Sequence, residues 1–125
     1  MYTLLVLYAR VLLVATLGQK QRKFTRMIGE LIVWAYDHGY ELTFGDAYRD
    51  PRLHGKVGET KAYGHPESKH KQRLAVDLNL FIHGRYRSST AAHVPIGVHW
   101  KSMGGTWGGN FTVRDGNHYS YEEKR

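Results

Sequence analysis

The chain has 125 residues, eight of them His, and carries 18 Lys and Arg against 11 Asp and Glu, for a net charge of +7. That length is read as one domain able to bury a core without covalent staples. Cysteine is absent, which excludes disulfides, thiolate metal sites and cysteine nucleophiles and leaves His, Asp and Glu as the only strong metal ligands. The surplus of positive charge suits an anionic partner such as nucleic acid, a membrane surface or a cell-wall polymer, or serves only solubility.

Residues 4–17 are almost wholly apolar, interrupted by Arg10 and Thr16. The run is shorter than the ~20 residues of a spanning helix, and Arg10 is unfavourable in a bilayer. Its basic cluster (Lys20, Arg22, Lys23 and Arg26) follows the apolar run rather than preceding it, the order of a weak signal-anchor and not of a secretory signal. Residues 1–18 are therefore set apart as an apolar N-terminal segment. It is either a helix packed on the domain, a poorly ordered extension, or a membrane-associating anchor. Residues 19–125 form the domain proper.

Over 19–39, Phe24, Met27, Ile28, Leu31, Ile32, Ala35 and Tyr36 recur at intervals of three and four, the apolar face of a helix that Gly39 ends. Tyr40, Leu42 and Phe44 alternate as in a strand, and Asp50-Pro51 marks a turn. Residues 52–69 are polar, rich in Gly and His and without a period, so they read as a long loop of the kind that often carries function. A strand over 74–82 follows, with Leu74, Val76, Leu78 and Leu80 on one face and Asp77 on the other. Residues 83–86 read as a turn, 88–94 as a short helix or loop ahead of Pro95, and 98–103 as one or two helical turns. Two Gly-Gly pairs bracket Thr106-Trp107 in an irregular segment. Asp115-Gly116-Asn117 is a turn before a short alternating strand that puts His118, Ser120 and Glu122 on one face.

No HExxH, P-loop, GxGxxG or GxSxG motif occurs. What remains is a loose constellation in two pieces: Ser68-x-His70 with Asp77 seven residues after that His, and Asp115-x-x-His118. His70, Asp77 and His118 would make a three-ligand zinc site of the catalytic type. On spacing alone, Asp77 is equally a sheet-edge aspartate and His118 a surface imidazole. His65 lies near enough in the loop to approach such a site; His54, His83, His93 and His99 read as surface or packing residues. Tyr63, Trp107 and Tyr119 would line a groove or, more commonly for aromatics, fill the core.

The stretch SKHKQRLAVDL resembles the S-x-H-x-x-G-x-A-x-D signature of zinc D-Ala-D-Ala carboxypeptidases and L-alanyl-D-glutamate peptidases, most of all the small phage endolysins of that group. Ser68, His70, Ala75 and Asp77 match, and Arg73 stands where the signature usually has Gly. Asp115-Gly116-Asn117-His118 is similar to the second element of the family, an acidic residue three before a His. AYRDP with Arg49, and the Trp107-Gly108-Gly109-Asn110-Phe111 segment, resemble two further elements in the right order.

The resemblance implies one zinc ion on His70, Asp77 and His118, with Asp115 as general base, Arg49 holding substrate oxygen and Ser68 hydrogen-bonding substrate. It implies a peptidoglycan peptidase of the endolysin kind, cutting a stem peptide between L-Ala and D-Glu, with a D-Ala-D-Ala carboxypeptidase or a non-catalytic zinc-stabilised wall-binding module as the alternatives. The expected fold is α+β, a small antiparallel sheet packed on one main helix with the zinc cleft on the opposite face. The expected protein is a monomer whose partner is peptidoglycan and not nucleic acid, because no basic helix with base-reading residues is present. Membrane contact would run through residues 1–18. It would be made in a bacterial host cytoplasm and act at the wall. A domain of +7 acting on a polyanionic envelope should lyse whole cells less well as ionic strength rises, since salt screens its attraction; turnover of whole cells that ignores salt would contradict this.

Overall fold

The computed structural model describes residues 14–59 and 65–122. The segment at 1–18 therefore lies mostly outside the described residues, and Tyr63 lies outside them too. Helix α1 (Leu17–Asp37) begins two residues earlier than its periodicity suggests, because Thr16 and Gln19 form a reciprocal capping box at its N-terminus. Phe24, Met27, Ile28, Leu31 and Ala35 are buried as expected. Tyr36 stays half exposed, its hydroxyl bridging the backbone N–H and C=O of Leu42. Among the described residues, no helix is long and apolar enough to cross a membrane.

Strand β1 (Glu41–Phe44) pairs antiparallel with the long strand β2 (Ala75–Ile82). Between them lie the single-turn helix α2 (Pro51–His54), capped by Asp50, and a 3-10 helix (Lys69–Gln72). A turn at His83-Gly84, both at positive φ, returns the chain as β3 (Arg85–Arg87) against the far end of β2. Helix α3 (Thr90–Ser102) follows, then β4 (Thr106–Trp107), a second 3-10 helix (Gly108–Asn110) and β5 (His118–Ser120). The sheet order is β1-β2-β5-β4 with β3 beside β2, and every pairing is antiparallel. The fold is α+β, with α1 against a small antiparallel sheet.

Leu74, Val76, Leu78 and Leu80 point into one core with Phe24, Met27, Ile28 and Leu31 of α1 and Ile96 and Trp100 of α3. The alternation that hides the leucines turns Asp77 and Asn79 to the other side, where they are only partly buried. Trp100 is fully buried in the centre of this core, and its indole N–H reaches the carbonyls of Thr106 and Ser120. That shared donor ties β4 and β5 to α3.

Helix α3 is the chief departure from the expected elements. It runs unbroken through Pro95, where a short helix or loop had been read on one side and a turn or two on the other. Its buried residues His93, Ile96, Gly97 and Trp100 do follow a helical period, but two of the four are not large apolar residues, so the stripe is faint in the sequence. Proline removes the N–H that would bond the Ala91 carbonyl. Both residues are exposed, so water can satisfy that carbonyl. Gly97 is required by packing, since a Cβ there would collide with the Trp107 indole.

His93 is buried and shares a 2.8 Å hydrogen bond with the Tyr119 hydroxyl. Burial pushes its imidazole down to about 4. Its folded pKa lies below the unfolded one, so the unfolded chain takes up the proton first as pH falls. The stability is complete above about pH 6.5 and declines toward pH 4, by up to about 3 kcal/mol from this residue. Denaturant unfolding of the wild type between pH 7 and 4 should show that decline, and His93→Gln should flatten it; equal slopes in the two proteins would refute the assignment.

Candidate metal centre

The site begins with strand pairing. Asp77 and His118 are register partners on β2 and β5, so their side chains rise from the same face of the sheet as direct neighbours. The other edge of Asp77 is held by the chain just past β1: Gly45 N–H donates to the Asp77 carbonyl and Asp77 N–H to the Asp46 carbonyl, each at 2.8 Å. The carboxylate is thus set on a backbone bonded from both sides.

His70 arrives from the 3-10 helix. Ser68 caps that helix, its Oγ accepting from His70 N–H at 3.2 Å. The same Oγ accepts from Arg49 Nη1 at 2.5 Å, and Arg49 N–H donates to the His70 carbonyl. Arg49 and Ser68 therefore brace the segment that carries His70. With two bonds accepted, the Ser68 hydroxyl retains its O–H to offer. Asp50, the next residue, is engaged by Arg52 through a two-pronged contact.

The 3-10 helix stops at Arg73, which adopts the left-handed conformation at φ 57°, ψ 35° and lets Leu74 enter β2. This is the position where a glycine was expected by resemblance, and the backbone explains why: glycine takes that conformation without strain. Arg73 offsets part of the strain by laying its guanidinium 4.3 Å over the Tyr48 ring, beside Arg49.

His118 and Asp115 are placed by a short loop closed on itself. Asp115 N–H donates to the Gly108 carbonyl, and His118 N–H to the Asp115 carbonyl. The Trp107 indole N–H donates to the Gly116 carbonyl at 2.7 Å. Gly108 packs so closely that a Cβ would strike the Asp115 carbonyl oxygen and the His118 Cβ.

The outcome is a convergence of three donor atoms. His70 Nε2, Asp77 Oδ1 and His118 Nδ1 stand 3.2, 3.3 and 3.6 Å apart in their three pairs. A tetrahedral ion with bonds of 2.0–2.1 Å has ligand edges of about 3.3 Å. The Asp77 Oδ1 is buried and has no hydrogen-bond partner. Three electron-pair donors turned on one another, one of them an orphaned anionic oxygen, fit a bound cation, and two imidazoles with one carboxylate fit zinc. Burial alone would raise the Asp77 carboxyl, but the His118 and His70 rings beside it outweigh burial and hold it at about 2. It is therefore an anion at neutral pH. Among the described residues, this is the one group with metal-ligand spacing.

The triad opens into a cleft of about 370 Å³. His70, His118, Arg49, Ser68 and Asp115 all line it, as do Ser120 and Glu122 from the His118 side of the strand. Asp115 is half exposed, its Oδ2 3.9 Å from His118 Nδ1. His65 reaches the cleft as anticipated. Trp107 and Tyr119 instead belong to the core, and His99 stacks on Trp34. Glu67, Lys69 and Phe111 also line the cleft and were not foreseen. Phe111 lies 5.3 Å from the His118 ring, and the Trp-Gly-Gly-Asn-Phe run is the signal from which it could have been found.

Arg73 yields a direct test. Arg73→Gly relieves the left-handed strain but loses the Tyr48 contact, two effects of about 1 kcal/mol each, and should be nearly neutral. Arg73→Ala keeps the strain and loses the contact. Thermal or denaturant unfolding should rank the glycine variant above the alanine variant by about 1 kcal/mol; the reverse order would refute the account.

Residues 62–121, just under half of the chain, match the family model described as D-alanyl-D-alanine carboxypeptidase. No curated protein matches the chain. The matched stretch contains every residue of the His-Asp-His group together with Ser68 and Asp115.

Proposed function

We propose, from the match of residues 62–121 to the family model described as D-alanyl-D-alanine carboxypeptidase, that this chain is a zinc-dependent peptidoglycan peptidase, an endolysin that hydrolyses a stem-peptide bond between L-Ala and D-Glu. The observation that carries the reading is the 3.2–3.6 Å convergence of His70 Nε2, Asp77 Oδ1 and His118 Nδ1, two of which, His70 and His118, line an open cleft. In this reading those three residues hold one zinc ion. A carboxypeptidase acting on D-Ala-D-Ala is the alternative, since the bond is set by the fit of the substrate on either side of the triad. The wall is then the place of action, after synthesis in a bacterial host cytoplasm.

Zinc would supply a Lewis acid that polarises the scissile carbonyl and acidifies the attacking water. The chain's own residues do the remainder. Asp115 sits beside the triad without belonging to it, and is exposed enough to reach a water in the cleft. Its carboxylate takes a proton from the attacking water as the C–O bond forms, and returns it to the amine nitrogen as the C–N bond breaks. The Arg49 guanidinium, already in the cleft wall, meets the negative charge that develops on the carbonyl oxygen. Ser68 holds Arg49 in place and has its own O–H left for the substrate backbone.

Purified protein should carry one zinc per chain, and chelation should abolish peptidase activity until zinc is restored. Asp115→Ala should keep the zinc and lower kcat by about 10²–10⁴-fold. Full activity in that variant would remove Asp115 as the general base, whereas zinc binding with no hydrolysis by the wild type would leave a wall-binding module as the better reading. Mass spectrometry of digested muropeptides identifies the bond: new N-terminal D-Glu supports the endopeptidase, whereas loss of a terminal D-Ala alone overturns it.

A further inference from the structure

The cleft is not confined to the triad. At strand spacing, Ser120 lies about 7 Å and Glu122 about 13 Å beyond His118 along the same edge. The Tyr121 N–H bond to the Leu74 carbonyl carries the pairing past the end of β5. The cleft therefore extends by some residues' length of peptide from the metal-ligand group.

Over this extension Lys69, the residue before His70, projects its ammonium toward Glu122, at 3.8 Å. The two differ in how firmly they are placed. Lys69 stands on the braced 3-10 helix with its side chain 31% exposed, while Glu122 follows the last strand at 67%. Their separation exceeds a direct hydrogen bond, and such an exposed pair contributes little stability. Among the described residues, Glu122 is the one carboxylate within 4 Å of the Lys69 ammonium. Lys69 is thus a fixed cation in the substrate cleft with a loosely held, exchangeable counter-ion.

We infer that Lys69 is a specificity-determining residue that receives a carboxylate of the substrate, displacing Glu122, so that the enzyme selects peptides bearing a free carboxylate farther along the cleft from the scissile bond over their carboxamides. This rests on the peptidase reading above. A carboxylate gives Lys69 a charge-assisted hydrogen bond, whereas a carboxamide leaves the ammonium facing Glu122 as before.

The test uses the full chain loaded with zinc and the stem-type peptide it cleaves, prepared in two forms that differ only in one carboxylate or carboxamide within about two residues of the scissile bond. The wild type should favour the carboxylate form by about tenfold to a hundredfold in kcat/KM, chiefly through KM. Lys69→Met should reduce that preference to near one with little change on the carboxamide, which also reports that the variant is folded. Lys69→Arg should retain the preference, and Glu122→Gln should lower KM for the carboxylate form alone. Cleavage of both forms with a preference that survives Lys69→Met would overturn this inference and leave the peptidase reading intact. Equal losses on both forms in Lys69→Met would overturn it as well. Cleavage of neither form by the wild type would overturn the peptidase reading and this inference together.

Discussion

The structure depends on holding one carboxylate anion on the central strand of a sheet whose reverse side is the hydrophobic core. Asp77 sits between Val76 and Leu78, both buried, and its own Oδ1 is buried without a hydrogen-bond partner. An anion in that position is stable only with polar or positively charged groups close by, because burial otherwise favours the neutral acid. Two imidazoles stand against it, and their effect outweighs burial. The three groups are each other's environment: removing one leaves the others facing an uncompensated neighbour.

Much of the chain serves that convergence. Backbone bonds from Gly45 and Asp46 hold Asp77 on one edge, and β5 sets His118 opposite it on the other. The braced Ser68–Arg49 contact brings His70 in from a third direction. Farther out, Lys71 is buried beside His70 and its ammonium donates to the carbonyls of Lys56 and Glu59. The N–H of Gly58 bonds the Pro66 carbonyl. These bonds draw together the two described limbs of the polar segment that precedes the site. The tryptophans do the same for the C-terminal half, where Trp107 clips the Asp115 loop and Trp100 joins α3 to β4 and β5. Rigid strands thus carry Asp77 and His118, while His70 and Asp115 come from turns closed by their own backbone bonds.

The same logic separates residues that touch the cleft from those that only resemble site residues. His93 is one of the most buried side chains, yet it bonds Tyr119 inside the core and not the triad. Burial lowers the affinity of an imidazole for a proton wherever it sits, so a shifted histidine marks a desolvated place and not of itself a reactive one. Asp115, by contrast, is half exposed and lines the cleft, which the proton-exchanging role proposed for it requires.

The sequence by itself determined the α+β class, the apolar face of α1 and the strand that bears Asp77, and it offered Ser68, His70, Asp77, Asp115 and His118 as two short motifs. Those are local matters: a period of 3.6 or 2 and a motif of short spacing survive without knowledge of the fold. It left α3 obscure, because a helix that buries a histidine and a glycine and contains a proline presents no apolar stripe. It left β3 and β4 unseen, because strands of three and two residues exist only through their partners. Tertiary structure alone decided that Asp77 and His118 face each other across a strand pair, that Arg73 must occupy a left-handed turn, and that Lys69 meets Glu122 over the cleft. Each of these joins residues through space or through a backbone angle, and neither is written in the identity of any single residue.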